Sequence, residues 1–163
     1  MRHGHTLLQW IVSLSLWLLL VGATTTAHAG DDTPRPIVKR IEVILSQQKL
    51  IAWADDRKAF EFLVTTGQAA QPTIPGEYEI LDKDADAYSE GWLLKLPFWM
   101  GIYQFGDYEN GFHALPTDDD GHEYWRDALG QYPVSHGCVV LAPEDAEALF
   151  EWAEVGTPVV IHE

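Results

Sequence analysis

From residue 40 onward the chain alternates between apolar and polar positions in short runs. Ile41, Val43 and Leu45 interleave with Arg40, Glu42 and Ile44, the period of two expected of a half-buried strand. Ser46-Gln47-Gln48 predicts a turn, residues 50–53 a second strand, Asp55-Asp56 another turn and residues 60–64 a third strand. The breaker-rich segment QPTIPG (71–76) leads into an alternating run at 77–81, residues 111–115 predict a further strand, and TPVVIHE closes the chain with another. A short helix is expected over 122–129. The one clear helix begins at Pro143, with Glu144 and Asp145 where the helix dipole favours anions, and Ala146, Leu149, Phe150 and Ala153 on one face. Gly156 is expected to end it. The pattern therefore predicts a mainly β domain over 38–163, a sandwich or closed sheet with one C-terminal helix.

Residues 82–110 resist this reading. A polar stretch, DKDADAYSEG, precedes WLLKLPFWMGIYQF, which is crowded with aromatics and interrupted by Pro97. Two readings stay open: one more strand and its connection packed on the core, or a flap forming the wall of a cleft. On the second reading Trp92, Trp99 and Tyr103 are the candidate wall residues.

The N-terminus follows another pattern. Arg2 precedes an uncharged apolar run at 7–21, and Ala27-His28-Ala29 follows it. That order predicts a signal peptide over 1–29, a linker over 30–37, and export to the periplasm, cell wall or exterior. The run is short for a membrane span of about 20 residues, so no integral-membrane role is expected after cleavage. With 10 basic and 25 acidic residues the net charge is −15, which argues against nucleic acid as a partner. One cysteine among 163 residues excludes an internal disulfide.

That cysteine stands in Ser135-His136-Gly137-Cys138, followed by the apolar Val139-Val140-Leu141. A cysteine attacks a carbonyl as thiolate, and an imidazole nearby promotes ionisation by taking the proton or by holding positive charge. His113 and His136 are the candidates. Gly137 allows a tight turn and lets backbone amides converge on an oxyanion. His122, in a polar loop beside Glu123, reads as a surface histidine. A zinc site is disfavoured, because His136 and Cys138 form the only close ligand pair.

SHGC followed by VVLAPEDAEALFEWAEVGTPVVI resembles the C-terminal motif of the L,D-transpeptidase (YkuD-type) catalytic domain. Upstream, IEVILSQQKLIAW, FEFLVTTGQAAQPTIPGEYEIL and GFHALP keep that family's order, so the likeness covers nearly all of 38–163. The resemblance implies Cys138 as nucleophile, His113 as proton acceptor, and His136 as a second histidine lining the site. It also implies Ser135 as the hydroxyl residue before it and Gly137, with neighbouring amides, as oxyanion donors. It implies a β-sandwich and peptidoglycan stem peptides as substrate: a thioester forms at Cys138 with loss of terminal D-Ala, then passes to an acceptor amine in a 3→3 crosslink. Hydrolysis or protein anchoring would use the same thioester, and a non-catalytic wall-binding module on the same fold is the remaining alternative. A carbapenem adduct at Cys138 is expected, with no metal or organic cofactor and a monomeric protein. Two positions depart from the family: Val140 stands where arginine is frequent, and Ala114 where glycine is frequent.

Overall fold

The computed structural model describes residues 35–163. The expected signal peptide and most of the linker fall outside the described residues, and 35–38 have no regular structure. Among the described residues, no helix is long and apolar enough to cross a membrane. Nine strands follow: β1 (Lys39–Ile44), β2 (Lys49–Ala54), β3 (Arg57–Thr65), β4 (Gly76–Glu79), β5 (Asp82–Ser89), β6 (Leu94–Phe105), β7 (Tyr108–Ala114), β8 (Val139–Leu141) and β9 (Pro158–His162). One α-helix, α1 (Pro143–Trp152), connects β8 to β9.

The strands form one continuous order, β4-β9-β1-β2-β3-β8-β7-β6-β5. Neighbours are antiparallel except β1–β9 and β7–β8, which are parallel. β3 is the join: it pairs with β2 along most of its length and with β8 through Val64 and Thr65. The expected sandwich is thus a single sheet curled on itself, and both halves feed one core. Ile41, Val43 and Leu50 from one half meet Met100, Phe112 and Leu141 from the other, together with Leu149 of α1. β8 has neighbours on both edges and all three of its side chains are buried, which suits its uninterrupted Val-Val-Leu run.

α1 starts as expected, with Pro143 in its first turn, Glu144 and Asp145 behind it, and no side-chain cap. It packs on β6, β7 and β8 through Ala146 and Leu149. It stops at Trp152 rather than at Gly156, because Ala153 is already extended (φ −82°, ψ 142°). Gly156 instead takes φ 86° in the turn entering β9. The helix expected over 122–129 shrinks to a 3₁₀ turn, Arg126–Ala128, since Trp125 at φ 71° breaks the helical path.

Residues 82–110 are two strands and the start of a third. β5 pairs with β6, and β6 with β7, as consecutive hairpins. Pro97 sits within β6 and Phe98 follows at φ 59°, so the strand kinks and the two-residue alternation is lost. Beyond the kink, Met100 and Ile102 are buried in the core. The β5–β6 turn, with Trp92 half-exposed and Leu93 at φ 56°, projects past it.

Candidate active site

Cys138 immediately precedes β8, so the central strand of one half presents it. β7 lies alongside in parallel, with His113 level with Val140. The apolar run from 139 to 141 drives β8 into the core and leaves the residue before it at the strand's mouth. There Cys138 is only partly buried.

The loop carrying the thiol is held by its own polar groups and by two threonine-bearing segments. Val134 and Ser135 N–H both donate to the Thr66 carbonyl (2.9 and 3.0 Å), and Gln68 N–H donates to the Ser135 carbonyl (3.0 Å). Thr73 Oγ1 donates to the Gly137 carbonyl and accepts from Gly67 N–H, each at 2.8 Å. These bonds give the Thr-Thr-Gly and Thr-x-Pro-Gly stretches a physical purpose: they clamp the loop from one side. Ser135 is 1% exposed; its Oγ donates to the Cys138 carbonyl (2.6 Å) and accepts from Gly137 N–H (3.2 Å). Its hydroxyl is spent on the loop, while the residue itself lines a cavity with Cys138 and His113. The Gly137 amide is likewise engaged and is not a free oxyanion donor. Gly137 still requires glycine, because it adopts φ 117°.

His113 is 3% exposed, and its Nδ1 lies 2.6 Å from the Ala114 carbonyl. A carbonyl only accepts, so Nδ1 carries the proton and Nε2 keeps a free lone pair. Burial pushes His113 down to about 4, with the Ala114 carbonyl pulling the other way. Burial also pushes the Cys138 thiol up to about 11; a Gly111 backbone hydrogen bond opposes this and the Glu109 charge adds to it. The resting pair is therefore a neutral imidazole and a neutral thiol.

Two cavities meet at Cys138. One, about 330 Å³, is lined by His113, His136, Ser135, Trp92, Trp125 and Cys138 among others. The other, about 560 Å³, is lined by Trp92, Trp99, His136 and Cys138 and by the carboxylates Asp82, Asp84, Asp107 and Glu109. Trp92 and His136 stand in both walls, and their rings stack at 4.2 Å with 7° between planes. Trp99 stacks near His113 (6.1 Å, 20°) and donates from Nε1 to Asp82 Oδ1 at 3.0 Å. Burial by its surroundings, then Asp82, raises the Glu109 carboxyl above its ordinary range.

Tyr103, expected in the wall, lines neither cavity. It is 8% exposed beneath the 73–78 segment, stacked on Tyr78, and its hydroxyl accepts from Ile74 N–H (3.1 Å) and faces the Gly137 carbonyl (3.4 Å). Removal from water pushes that hydroxyl up to about 12. Tyr103 is a strut under the loop. His122 is exposed, packs edge-on to Tyr124 and lines neither cavity. Val140 and Ala114, the two departures, are buried in the sheet. Among the described residues, no three His, Cys, Asp or Glu side chains converge as metal ligands would.

The sequence reading missed Asn110. It lies on β7 opposite Tyr103, is 5% exposed, and its Oδ1 sits 3.8 Å from Cys138 Sγ. An Asn-Gly pair ordinarily signals a turn, but Asn110-Gly111 is mid-strand here; the turn falls at 106–107. The sequence offered only an amide three residues before His113, among acidic and aromatic neighbours.

Residues 38–161 match the YkuD family, described as the L,D-transpeptidase catalytic domain. The chain is 29% identical over 110 residues to the probable L,D-transpeptidase 3 of Mycobacterium tuberculosis, a match covering 60% of this chain and 36% of that protein. The chain thus spans about a third of that curated relative's length. An L,D-transpeptidase from Stackebrandtia nassauensis has a similar structure, with TM-score 0.61, 27% identity, and coverage of 85% of this chain and 62% of that one. The L,D-transpeptidase LdtMt1, solved in complex with imipenem, shares the fold at TM-score 0.67 and 15% identity, over 77% of this chain and 59% of its own. With the family match spanning nearly the whole described domain, the chain belongs to the YkuD family of L,D-transpeptidase catalytic domains.

Proposed function

We propose that this protein is an exported cysteine acyltransferase acting on peptidoglycan stem peptides. The observation that carries the reading is the shared cavity of Cys138 and His113, with the imidazole tautomer held by the Ala114 carbonyl. Nε2 of His113 takes the thiol proton as Sγ attacks the carbonyl of the third stem residue. Because both groups are neutral at rest, charge separates only as the attack proceeds. The tetrahedral intermediate collapses, the C–N bond breaks, and terminal D-Ala leaves with the proton held by His113. An acceptor amine then attacks the thioester: the N–C bond forms, the C–S bond breaks, the amine proton passes by way of His113 to the departing Cys138 sulfur, and a 3→3 crosslink results. His136, stacked under Trp92, forms the partition between the two cavities.

The larger cavity supports an amine as acceptor. Its four carboxylates outnumber its one cation, Lys83, whose Nζ is bonded to the Phe150 and Ala153 carbonyls (2.5 and 2.7 Å). Such a rim favours an approaching ammonium over an anionic group. Export is supported by the order of residues in 1–29 and by the location of the proposed substrate. The imipenem complex of LdtMt1 supports a carbapenem thioester at Cys138.

Mass spectrometry of purified disaccharide-tetrapeptide incubated with the protein tests the reading. Loss of terminal D-Ala together with a dimeric product is expected. Trimming without dimers would make water the acceptor and the protein an L,D-carboxypeptidase. An unchanged muropeptide would overturn the proposal.

A further inference from the structure

The Asn110 side chain is placed where a merely structural asparagine would not be. It is 5% exposed, yet its Nδ2 has no hydrogen-bond partner among the described residues, and its Oδ1 has Cys138 Sγ as its one hydrogen-bond partner among them. No fully buried side-chain nitrogen or oxygen among these residues lacks a partner, so Nδ2 must reach open space. That space is the 560 Å³ cavity, which Asn110 lines together with Cys138 and His136. Gly137 makes the placement possible. A Cβ at position 137 would overlap Asn110 Oδ1 and lie 3.0 Å from its Cγ. The glycine before the nucleophile therefore leaves room for this amide as well as adopting its own turn.

An acyl transfer needs a donor for the oxygen that becomes negative, and such donors work best when they are preorganised and shielded from water. The Gly137 N–H is already bonded to Ser135 Oγ. An amide side chain carries two N–H donors on Nδ2 and an acceptor on Oδ1.

We propose that Asn110 is a further catalytic residue for acyl transfer at Cys138: Oδ1 accepts the thiol S–H at rest, and Nδ2 donates to the carbonyl oxygen of the group being attacked. In that step the S–C bond forms, the thiol proton passes to His113 Nε2, and the carbonyl π pair moves onto the oxygen held by Nδ2–H. On collapse the pair returns, the C–N or C–O bond to the leaving group breaks, and the leaving group takes the proton from His113. The proposal deepens the acyltransferase reading and rests on Cys138 accepting acyl groups, not on the identity of the substrate.

The test compares two reactions of the same thiol. Acylation by p-nitrophenyl acetate passes through an oxyanion; alkylation by iodoacetamide does not. Asn110→Ala is expected to slow acylation by roughly 10²-fold, the lower end of what losing one oxyanion donor costs, while alkylation proceeds near the wild-type rate. Asn110→Leu keeps the branched shape, removes both polar atoms, and should behave alike, which covers the case that the alanine variant fails to fold. Acylation as fast as wild type in a folded variant would overturn the assignment. So would acylation and alkylation falling in step, the mark of a displaced thiol. A wild-type protein that is alkylated but never acylated by the ester would also overturn it. If the ester shows the Asn110 effect while muropeptides are untouched, the residue's role stands and the peptidoglycan reading fails.

Discussion

The 134–138 loop and the turn between β5 and β6 both border Cys138, but they are held in opposite ways. In the loop, Val134, Ser135, Gly137 and Cys138 share six backbone or hydroxyl contacts with Thr66, Gln68, Thr73 and one another, all within 2.6–3.2 Å. The turn reaches the site through one aromatic stack, Trp92 on His136, and Trp92 stays 49% exposed. A hydrogen-bonded loop fixes the reacting atom in one place. A ring resting on a ring fixes a wall only loosely, as stacking contributes about 0.5–1.5 kcal/mol beyond area burial. The contrast fits the proposed reaction, in which the thiol is held rigidly while two peptides enter in turn.

The sharpest test of the rigid side removes its product. Cys138→Ala should abolish acylation and stem-peptide turnover while the thermal melt stays close to wild type; residual D-Ala release from the folded variant would disprove the mechanism. Next comes His113→Ala, expected to slow thioester formation by roughly 10²–10⁴-fold, as loss of a general base does. The same residue predicts a pH effect. Its folded pKa lies below the ordinary value, so the unfolded chain binds the proton first, and stability from this group is complete above pH 6.5 and lost progressively toward about 4. Equilibrium denaturation at several pH values should show wild type losing stability over that window, and His113→Phe losing less.

Thr73→Val attacks the clamp without touching a cavity wall at Cys138. It leaves the Gly67 N–H without its partner and the Gly137 carbonyl with only the longer bond from the Tyr103 hydroxyl, at about 1–3 kcal/mol for a group left unpaired away from water. A lowered melting temperature with slower acylation is expected; a melt unchanged within error would mean the clamp is dispensable. Trp92→Ala probes the loose side. It should raise the apparent KM or lower turnover while the melt barely moves, whereas a core tryptophan costs about 3–5 kcal/mol on truncation. A large fall in melting temperature with unchanged kinetics would make Trp92 a packing residue and erase the contrast. His122→Ala, far from both regions' contacts, should change neither quantity.

Much of this was legible in the linear chain because it depends on near neighbours. The two-residue alternation at 40–45 and the Pro-Glu-Asp start of α1 encode local geometry directly. SHGC marks its candidate nucleophile through the one thiol in the chain. Residues 82–105 were not legible: β5 is a polar edge strand, and the kink at Pro97-Phe98 destroys the period that would have announced β6. Residue types and their order by themselves determined the β architecture and the helix after the motif. Only the tertiary structure decided which polar groups are free. Ser135 and Tyr103 read as site residues, yet the fold bonds both hydroxyls to backbone, and β7 lays the amide of Asn110, unremarked in the sequence, across Gly137. A side chain's type states which hydrogen bonds it can make, and long-range packing settles which of them are already taken.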